Sequence, residues 1–438
     1  MQNVNLKYLE FEKKVRQTLN KYYFMKHEKQ YGVAVSGGPD SMLLLNVLSR
    51  WANLEGKHLS VFSFNHNLRK ESLNEILFVE KECKKLKCNF IKIEWHEKPK
   101  TALMEKARVA RYSQIAKKCA ENDIKTLFLG HHADDIAETL SMRIINNSYL
   151  EGLCPIFELR EIFNIKLFRP LLCFTKSQIL QLNSKKNIAF MTDPSNLNDK
   201  YFRTRIRKIL NKEMKLKTNL IKAASIFCNI RKFNEKFIKE KLKNYYFYRN
   251  EGFLEIKREI VEKLPKFLVL NFLRIAIFRL GNKRYFSKEE ILENLYFKAL
   301  KDISLTYSLG GCILVLNKRK IFIYREYNDL NKDPQPLLGY NRLVWDNRFE
   351  IINNTNVSMK IVPLGSILNN SFYKNNFKIN KKKIKSIPFQ VRKTLPAIFT
   401  LEGLVYIPHL KVCELNLLKI SIKSHTIDFF NKKYDNII

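Results

Sequence analysis

Three stretches of the chain gather side chains able to do chemistry. The first is "VAVSGGPDSMLLL", Val33–Leu45. An apolar run ends at Val35, Gly37 and Gly38 permit close backbone approach, and Ser41 begins a helix whose first amides lack intrahelical partners. Free N–H groups and the positive end of a helix dipole then face one spot, which suits a phosphate. It is not a Walker A loop, because the G-x-x-x-x-G-K-[ST] spacing and its lysine are missing. Asp40 stands there instead, a carboxylate that repels phosphate unless a cation lies between them. Mg²⁺ is the natural bridge, since it binds through one or two carboxylates plus phosphate oxygens. A tight β-to-α turn with Asp40 or Ser41 as helix cap is the plainer explanation of the same residues.

The second stretch is "LFLGHHADDIAETLSMR", Leu127–Arg143. Asp134 and Glu138 are four apart and Asp135 and Glu138 three apart, so on a helix their carboxylates share a face. His131 and His132 precede them. Acidic residues also favour helix N-termini without any ligand. The third stretch is basic: "DPSNLNDKYFRTRIRKIL", Asp193–Leu210, carries Arg203, Arg205 and Arg207, with Arg203 and Arg207 on one face and suited to backbone phosphates. "EKARVARY", Glu105–Tyr112, adds Arg108 and Arg111. A solvated charged helix face accounts equally well for either basic run.

These residues need a scaffold, and the pattern supplies one. Strands are expected at Gly32–Val35, Leu59–Phe64, Phe90–Trp95 and Thr126–Leu129, with helices between them at Met42–Trp51, Glu75–Leu86, Ala102–Ala120 and Ile136–Ile145. That alternation implies an α/β fold with a parallel sheet covered on both faces. Ligands of such sheets bind beyond the carboxyl ends of the strands, where both the Asp40 loop and the Gly-His-His segment fall. From about Thr218 the pattern turns mainly helical (Ile221–Tyr246, Glu259–Leu280, Lys288–Lys301) and finishes in a hairpin at Cys312–Glu326. A linker at Asn328–Gly339 follows, then short strands with a lysine run at Lys381–Lys385.

The 438 residues suggest two or three domains, and 45% hydrophobic content is ample for buried cores. No apolar run reaches the roughly 18 to 20 residues that span a bilayer, and residues 1–30 lack a signal-peptide segment, so a cytoplasmic protein is expected. The eight cysteines form no C-x-x-C pair and are expected to be reduced and mostly structural. Lys and Arg number 79 against 42 Asp and Glu, a formal +37 that attracts a polyanion, for which nucleic acid is the usual candidate. An AT-biased genome enriches lysine too.

Taken together, the motifs resemble a known family. "SGGPDS", Ser36–Ser41, resembles the pyrophosphate-binding (PP) loop of the N-type ATP pyrophosphatases, with Pro39 where thiolating members usually carry lysine. "FNHNLRKES" (Phe64–Ser72), "EKARVARY", "GHHADDIAET" (Gly130–Thr139), "RPLL" (Arg169–Leu172) and "DPSNLNDKYFRTRIR" (Asp193–Arg207) follow in the order found in tRNA(Ile)-lysidine synthetases. The match is dense over Val33–Arg207 and weaker through "LGG" (Leu309–Gly311) and "VRKTLPAIFTLEGLVYIPHL" (Val391–Leu410).

The resemblance implies a Rossmann-like ATP pyrophosphatase domain over 1–215, a mainly helical tRNA-binding domain over 216–330, and a small α+β tRNA-binding domain over 340–438. It implies ATP, Mg²⁺, free L-lysine and an isoleucine tRNA with a CAU anticodon as partners, no membrane, and conversion of the wobble cytidine to lysidine through an adenylated base. A homodimer stays open. Carried over residue by residue, Asp40, Asp135, Glu138 and Arg108 would be catalytic. Ser36, Gly37, Gly38, Pro39, Asp40, Ser41 and His66 would bind ATP, with Asp40 also on Mg²⁺. Asp134, Asp135 and Glu138 would bind lysine, and Arg111, Arg203, Arg205 and Arg207 the tRNA. The rivals are a tRNA thiolase of the same superfamily and a non-catalytic basic RNA-binding protein.

Overall fold

The computed structural model describes residues 2–65, 72–95, 103–148, 150–154, 156–163, 165–192, 202–283, 289–301, 303–367, 385–400, 405–410, 412–413 and 420–424. The chain divides into two compact units, Met1–Asn234 and Glu235–Ile437.

In the first unit, helices α1 (Gln2–Asn20) and α2 (Phe24–His27) precede an α/β alternation. It runs β1 (Gln30–Ala34), α3 (Pro39–Leu54), β2 (His58–Asn65), α4 (Ser72–Lys85), β3 (Asn89–Glu94), α5 (Leu103–Glu121), β4 (Thr126–Phe128) and α6 (Ala133–Ile145). A short α7 (Leu150–Leu153) leads into β5 (Leu159–Ile162) and β6 (Ile165–Phe168), followed by α8 (Lys176–Lys185), α9 (Phe202–Lys212) and α10 (Met214–Leu242), whose last turns lie in the second unit. Sheet order is β3-β2-β1-β4-β6-β5, parallel except for the edge strand β5. Both faces are covered, as the alternation predicts. Tyr8, Phe11 and Val15 of α1 and Leu44 and Leu48 of α3 belong to one core, and Tyr112, Ile115 and Cys119 of α5 to another with Phe62, Leu127 and Leu167.

Gly32 lets β1 sit at the centre of this sheet. A Cβ there would lie 2.7 Å from the Phe62 ring of β2 and 3.0 Å from Leu127 of β4. The β5–β6 pair has no counterpart in the sequence pattern, because its register joins two four-residue strands too short to show periodicity.

The second unit begins with the hairpin β7 (Tyr246–Arg249) and β8 (Phe253–Lys257), where the pattern predicts a helix continuing as far as Tyr246. The helix α10 stops four residues short of that, at Leu242, where Tyr245 N–H turns back to the Leu242 carbonyl at 2.8 Å; Gly252, at φ +76°, makes the turn between β7 and β8. The expected helix Glu259–Leu280 is split into α11 (Ile260–Lys263) and α12 (Lys266–Leu280) at Pro265, which lacks the N–H a helix interior needs. After α13 (Glu289–Leu300) come β9 (Leu305–Leu309), β10 (Cys312–Leu316) and β11 (Lys320–Arg325), and these complete a five-stranded antiparallel sheet ordered β7-β8-β11-β10-β9. The β10–β11 hairpin pairs Cys312 with Arg325. Beyond it, a five-stranded and a three-stranded sheet share a core that includes Trp345, Phe349, Ile361 and Ile398. Lys381, Lys382 and Lys383 of the lysine run lie outside the described residues. Among the described residues no helix is long and apolar enough to cross a membrane.

One expectation about the cysteines is corrected. Cys154 and Cys228 form a disulfide with Cα atoms 5.0 Å apart, joining the end of α7 to α10 across 74 residues of chain. A separation that long leaves no local pattern from which to read the pairing. Closing such a loop typically contributes about 2–4 kcal/mol. Protein denatured without reductant and treated with a thiol reagent is therefore expected to yield unlabelled Cys154 and Cys228 peptides, and reduction should lower its melting temperature. Full labelling of both peptides would show that the pair is not populated.

Candidate active site

The strand order reverses between β1 and β4, and at the carboxyl ends of these two neighbours the chain enters α3 and α6. Gly130, after β4, presses on the start of α3: a Cβ there would lie 3.2 Å from the Ser41 nitrogen and 3.3 Å from the Asp40 carbonyl carbon. Both are backbone atoms with little freedom to move. The two loops singled out from the sequence therefore meet as one surface.

The first loop is fixed from inside and outside. Gly37 turns at φ +82°, and Gly38 precedes α3 with Pro39 in its first turn. Ser36 N–H donates to Ser41 Oγ at 3.2 Å, and that hydroxyl donates to the Gly38 carbonyl at 3.0 Å. The buried Asn183 of α8 donates to the Pro39 carbonyl at 2.9 Å, and Met191 N–H to the Gly37 carbonyl at 2.9 Å. Ser41 thus braces the loop, while Ser36 is exposed on it.

Asp40, Asp134, Asp135 and Glu138 converge here, and each meets a cation. Lys176, the first residue of α8, places Nζ 2.6 Å and 2.7 Å from the two Asp40 oxygens. Its backbone N–H donates to Asp134 Oδ1 at 3.0 Å, and Lys217 of α10 reaches Asp134 Oδ2 at 2.6 Å with both side chains buried. Arg203 spans Asp135 Oδ1 at 2.5 Å and Glu138 Oε2 at 2.7 Å. Arg207 grips both Glu138 oxygens, at 2.5 and 3.0 Å. The other Asp135 oxygen caps α6 by accepting from His132 N–H at 3.0 Å. Beside them the buried His132 ring lies 3.7 Å from Asp40 and 3.6 Å from Asp135.

Burial alone would raise the Asp135 pKa, but His132, His131, Arg203 and the His132 amide outweigh it and hold the carboxyl at about 2. The Arg207 pKa is raised, chiefly by its hydrogen bond to Glu138. Loss of hydration, with Arg169, Arg108 and Arg111 nearby, pushes His131 down to about 3 although Asp135 pulls the other way. The neutral ring accepts from Arg169 Nε at 3.2 Å on Nδ1, so Nε2 carries its proton. Arg108 and Arg111 lie 6.0 and 5.2 Å from the Tyr112 ring centre. Together with Arg169 they lower the Tyr112 pKa against its burial.

A Mg²⁺ on Asp40 would have to take the place of the Lys176 ammonium and draw its other ligands from the substrate phosphates. Both Asp40 oxygens are held by Lys176, and among the described residues no group of three or more His, Cys, Asp or Glu side chains could hold a metal ion. His66 lies outside the described residues. Arg203 and Arg207, expected on tRNA phosphates, meet carboxylates, whereas Arg205 lies against the Phe202 ring at 5.5 Å.

Residues 7–214 match the PP-loop domain profile. The tRNA(Ile)-lysidine synthase of Rickettsia bellii (strain RML369-C) is 30% identical over 91% of this chain and 92% of its own. The chain belongs to the tRNA(Ile)-lysidine synthase family. That of Rickettsia felis is 31% identical over 86% of this chain and 88% of its own, and that of Orientia tsutsugamushi (strain Boryong) 26% over 86% and 88%. Among solved structures, the U34-tRNA thiolase NcsA from Methanococcus maripaludis overlays with a TM-score of 0.44 at 18% identity, covering 50% of this chain and 79% of that one. As a family member the chain is a ligase with an ATP-using PP-loop domain, acting in tRNA modification.

Sequence reasoning missed Lys176, Asn183 and Lys217 in this lysidine synthase site. The "RPLL" motif ends four residues before Lys176, and that was the one available signal. Removing one partner of a buried ion pair leaves the other charge uncompensated, which costs roughly 3–5 kcal/mol. Lys217→Met is therefore expected to destabilise the first unit by about that much in urea denaturation, with Asp134→Asn/Lys217→Met closer to wild type. An unchanged single variant would show that the pair contributes nothing.

Proposed function

We propose that the protein ligates lysine to carbon 2 of the wobble cytidine in the CAU anticodon of an isoleucine tRNA, changing codon reading from AUG to AUA. A pyrimidine 2-carbonyl oxygen is a poor leaving group, so it attacks the α-phosphorus of ATP first. Pyrophosphate departs, and the base is left adenylated. The lysine ε-amine then adds at carbon 2 and AMP leaves with the former carbonyl oxygen.

The observation that carries this reading is the junction at Gly130, where a phosphate-type loop and a carboxylate-rich helix start share one surface. Loop Ser36–Ser41 would take the ATP phosphates through backbone amides and the start of α3. Asp135 and Glu138 would receive the lysine ammonium in exchange for part of their contact with Arg203 and Arg207, and one of them would accept its proton, since only the free amine is a nucleophile. Asp134 would contribute less directly, because its partner Lys217 is buried, whereas Arg203 and Arg207 are partly exposed and can be displaced. Arg108 and Arg111 suit the adenylate phosphate or the tRNA backbone. Mg²⁺ would enter with ATP as the counter-ion of its phosphates. The formal +37 of the chain suits tRNA phosphates, while an anticodon loop can splay its bases into a site.

Incubation with ATP, labelled lysine and unmodified CAU-anticodon tRNA is expected to put label into the tRNA with pyrophosphate release. Release of pyrophosphate without label would sink the lysidine reading. Glu138→Ala should raise the KM for lysine about tenfold or more while changing that for ATP far less, as expected for loss of a charge-assisted contact. Equal loss of both would remove Glu138 from the lysine site.

A further inference from the structure

We infer that Lys176 is the internal counter-ion of the phosphate loop: its ammonium neutralises Asp40 until ATP arrives, then bridges Asp40 and the β,γ-phosphates. This rests on the reading of Ser36–Ser41 as the ATP loop. Asp40 lies in the first turn of α3, so any phosphate on that loop meets its negative charge at short range. Something positive must lie between them. Asp40 already has such a partner, since Lys176 Nζ bonds both its oxygens. An ammonium has three donors, so this one keeps a third for another acceptor.

The anchoring of Lys176 fits a pivoting cation. Its backbone is fixed by the N–H bond to Asp134 and by a capping box in which Thr175 and Gln178 exchange bonds at 2.8 and 3.3 Å. Its side chain is 34% exposed and the Asp40 carboxylate 26% exposed, so solvent reaches the pair. A flexible four-carbon stem can then follow an arriving phosphate without backbone movement. The bridging charge often supplied by a metal is in this way built into the chain. The contact concerns the β,γ-phosphates, the part of ATP that leaves as pyrophosphate, so Lys176 would distinguish ATP from AMP.

Equilibrium binding of ATP and of AMP, each with Mg²⁺ and with EDTA, tests this on full-length protein. Wild type is expected to keep measurable ATP affinity in EDTA. Lys176→Met should weaken ATP about tenfold or more while leaving AMP within about twofold, and Lys176→Arg should recover most of the loss, as for one charge-assisted hydrogen bond. A purely structural lysine would instead weaken ATP and AMP alike, and that result, or unchanged ATP affinity, overturns the inference. If Lys176→Met does not fold, Asp40→Asn is compared with Asp40→Asn/Lys176→Met, which leaves no uncompensated carboxylate. The ATP-over-AMP preference should survive in the first and vanish in the second, and its survival in both overturns the inference. Wild type that binds neither nucleotide would instead defeat the ATP-loop reading itself.

Discussion

Like charges forced together away from water must be neutralised or the fold fails. Asp134, Asp135 and Glu138 occupy successive turns of one helix start, all buried, and Gly130 brings Asp40 against them. A single uncompensated buried charge costs several kcal/mol. The sheet can therefore carry this cluster only because α8, α9 and α10 bring Lys176, Arg203, Arg207 and Lys217 to it. Assembly of the site and completion of the first unit are one event, since separating those helices from the sheet would strand four carboxylates.

The proposed substrates have opposite charges, and the same ion pairs would serve both. A triphosphate would compete with Asp40 for Lys176, and a cationic amino acid would compete with Arg203 and Arg207 for Asp135 and Glu138. Each substrate would replace an existing interaction of its own charge type, so binding would exchange one neutralised arrangement for another. The low pKa of Asp135 keeps that carboxylate ionised throughout the neutral range. His131, held neutral by lost hydration and surrounding guanidiniums, adds no positive charge there.

What could be read from the sequence follows the range of each interaction. β1 to β4 and the helices between them are local patterns of alternation and period, and they lie within a few residues of where periodicity puts them. The Asp40 loop and the Asp134–Glu138 helix face were legible for the same reason, because glycine, proline and carboxylate spacings act over one turn. The counter-ions were not legible: Lys176 lies 136 residues from Asp40, and Lys217 lies 83 from Asp134. Arg203 and Arg207 were visible as a basic helix face, but a sequence does not say whether such a face meets solvent, phosphate or carboxylate. The β7–β8 hairpin was not read, because β7 is four residues of an aromatic run, too short to show a period, and it pairs with β8 only through the turn at Gly252.

The disulfide sorts these charges by covalent segment. Every carboxylate of the cluster precedes Cys154, and every lysine and arginine that pairs with one lies between Cys154 and Cys228. The cation-bearing stretch is thus a ring closed on itself, hung beside the acidic half of the site. A backbone cut anywhere inside that ring would open it without dividing the molecule, and the two resulting pieces would still be tethered with their opposite charges facing.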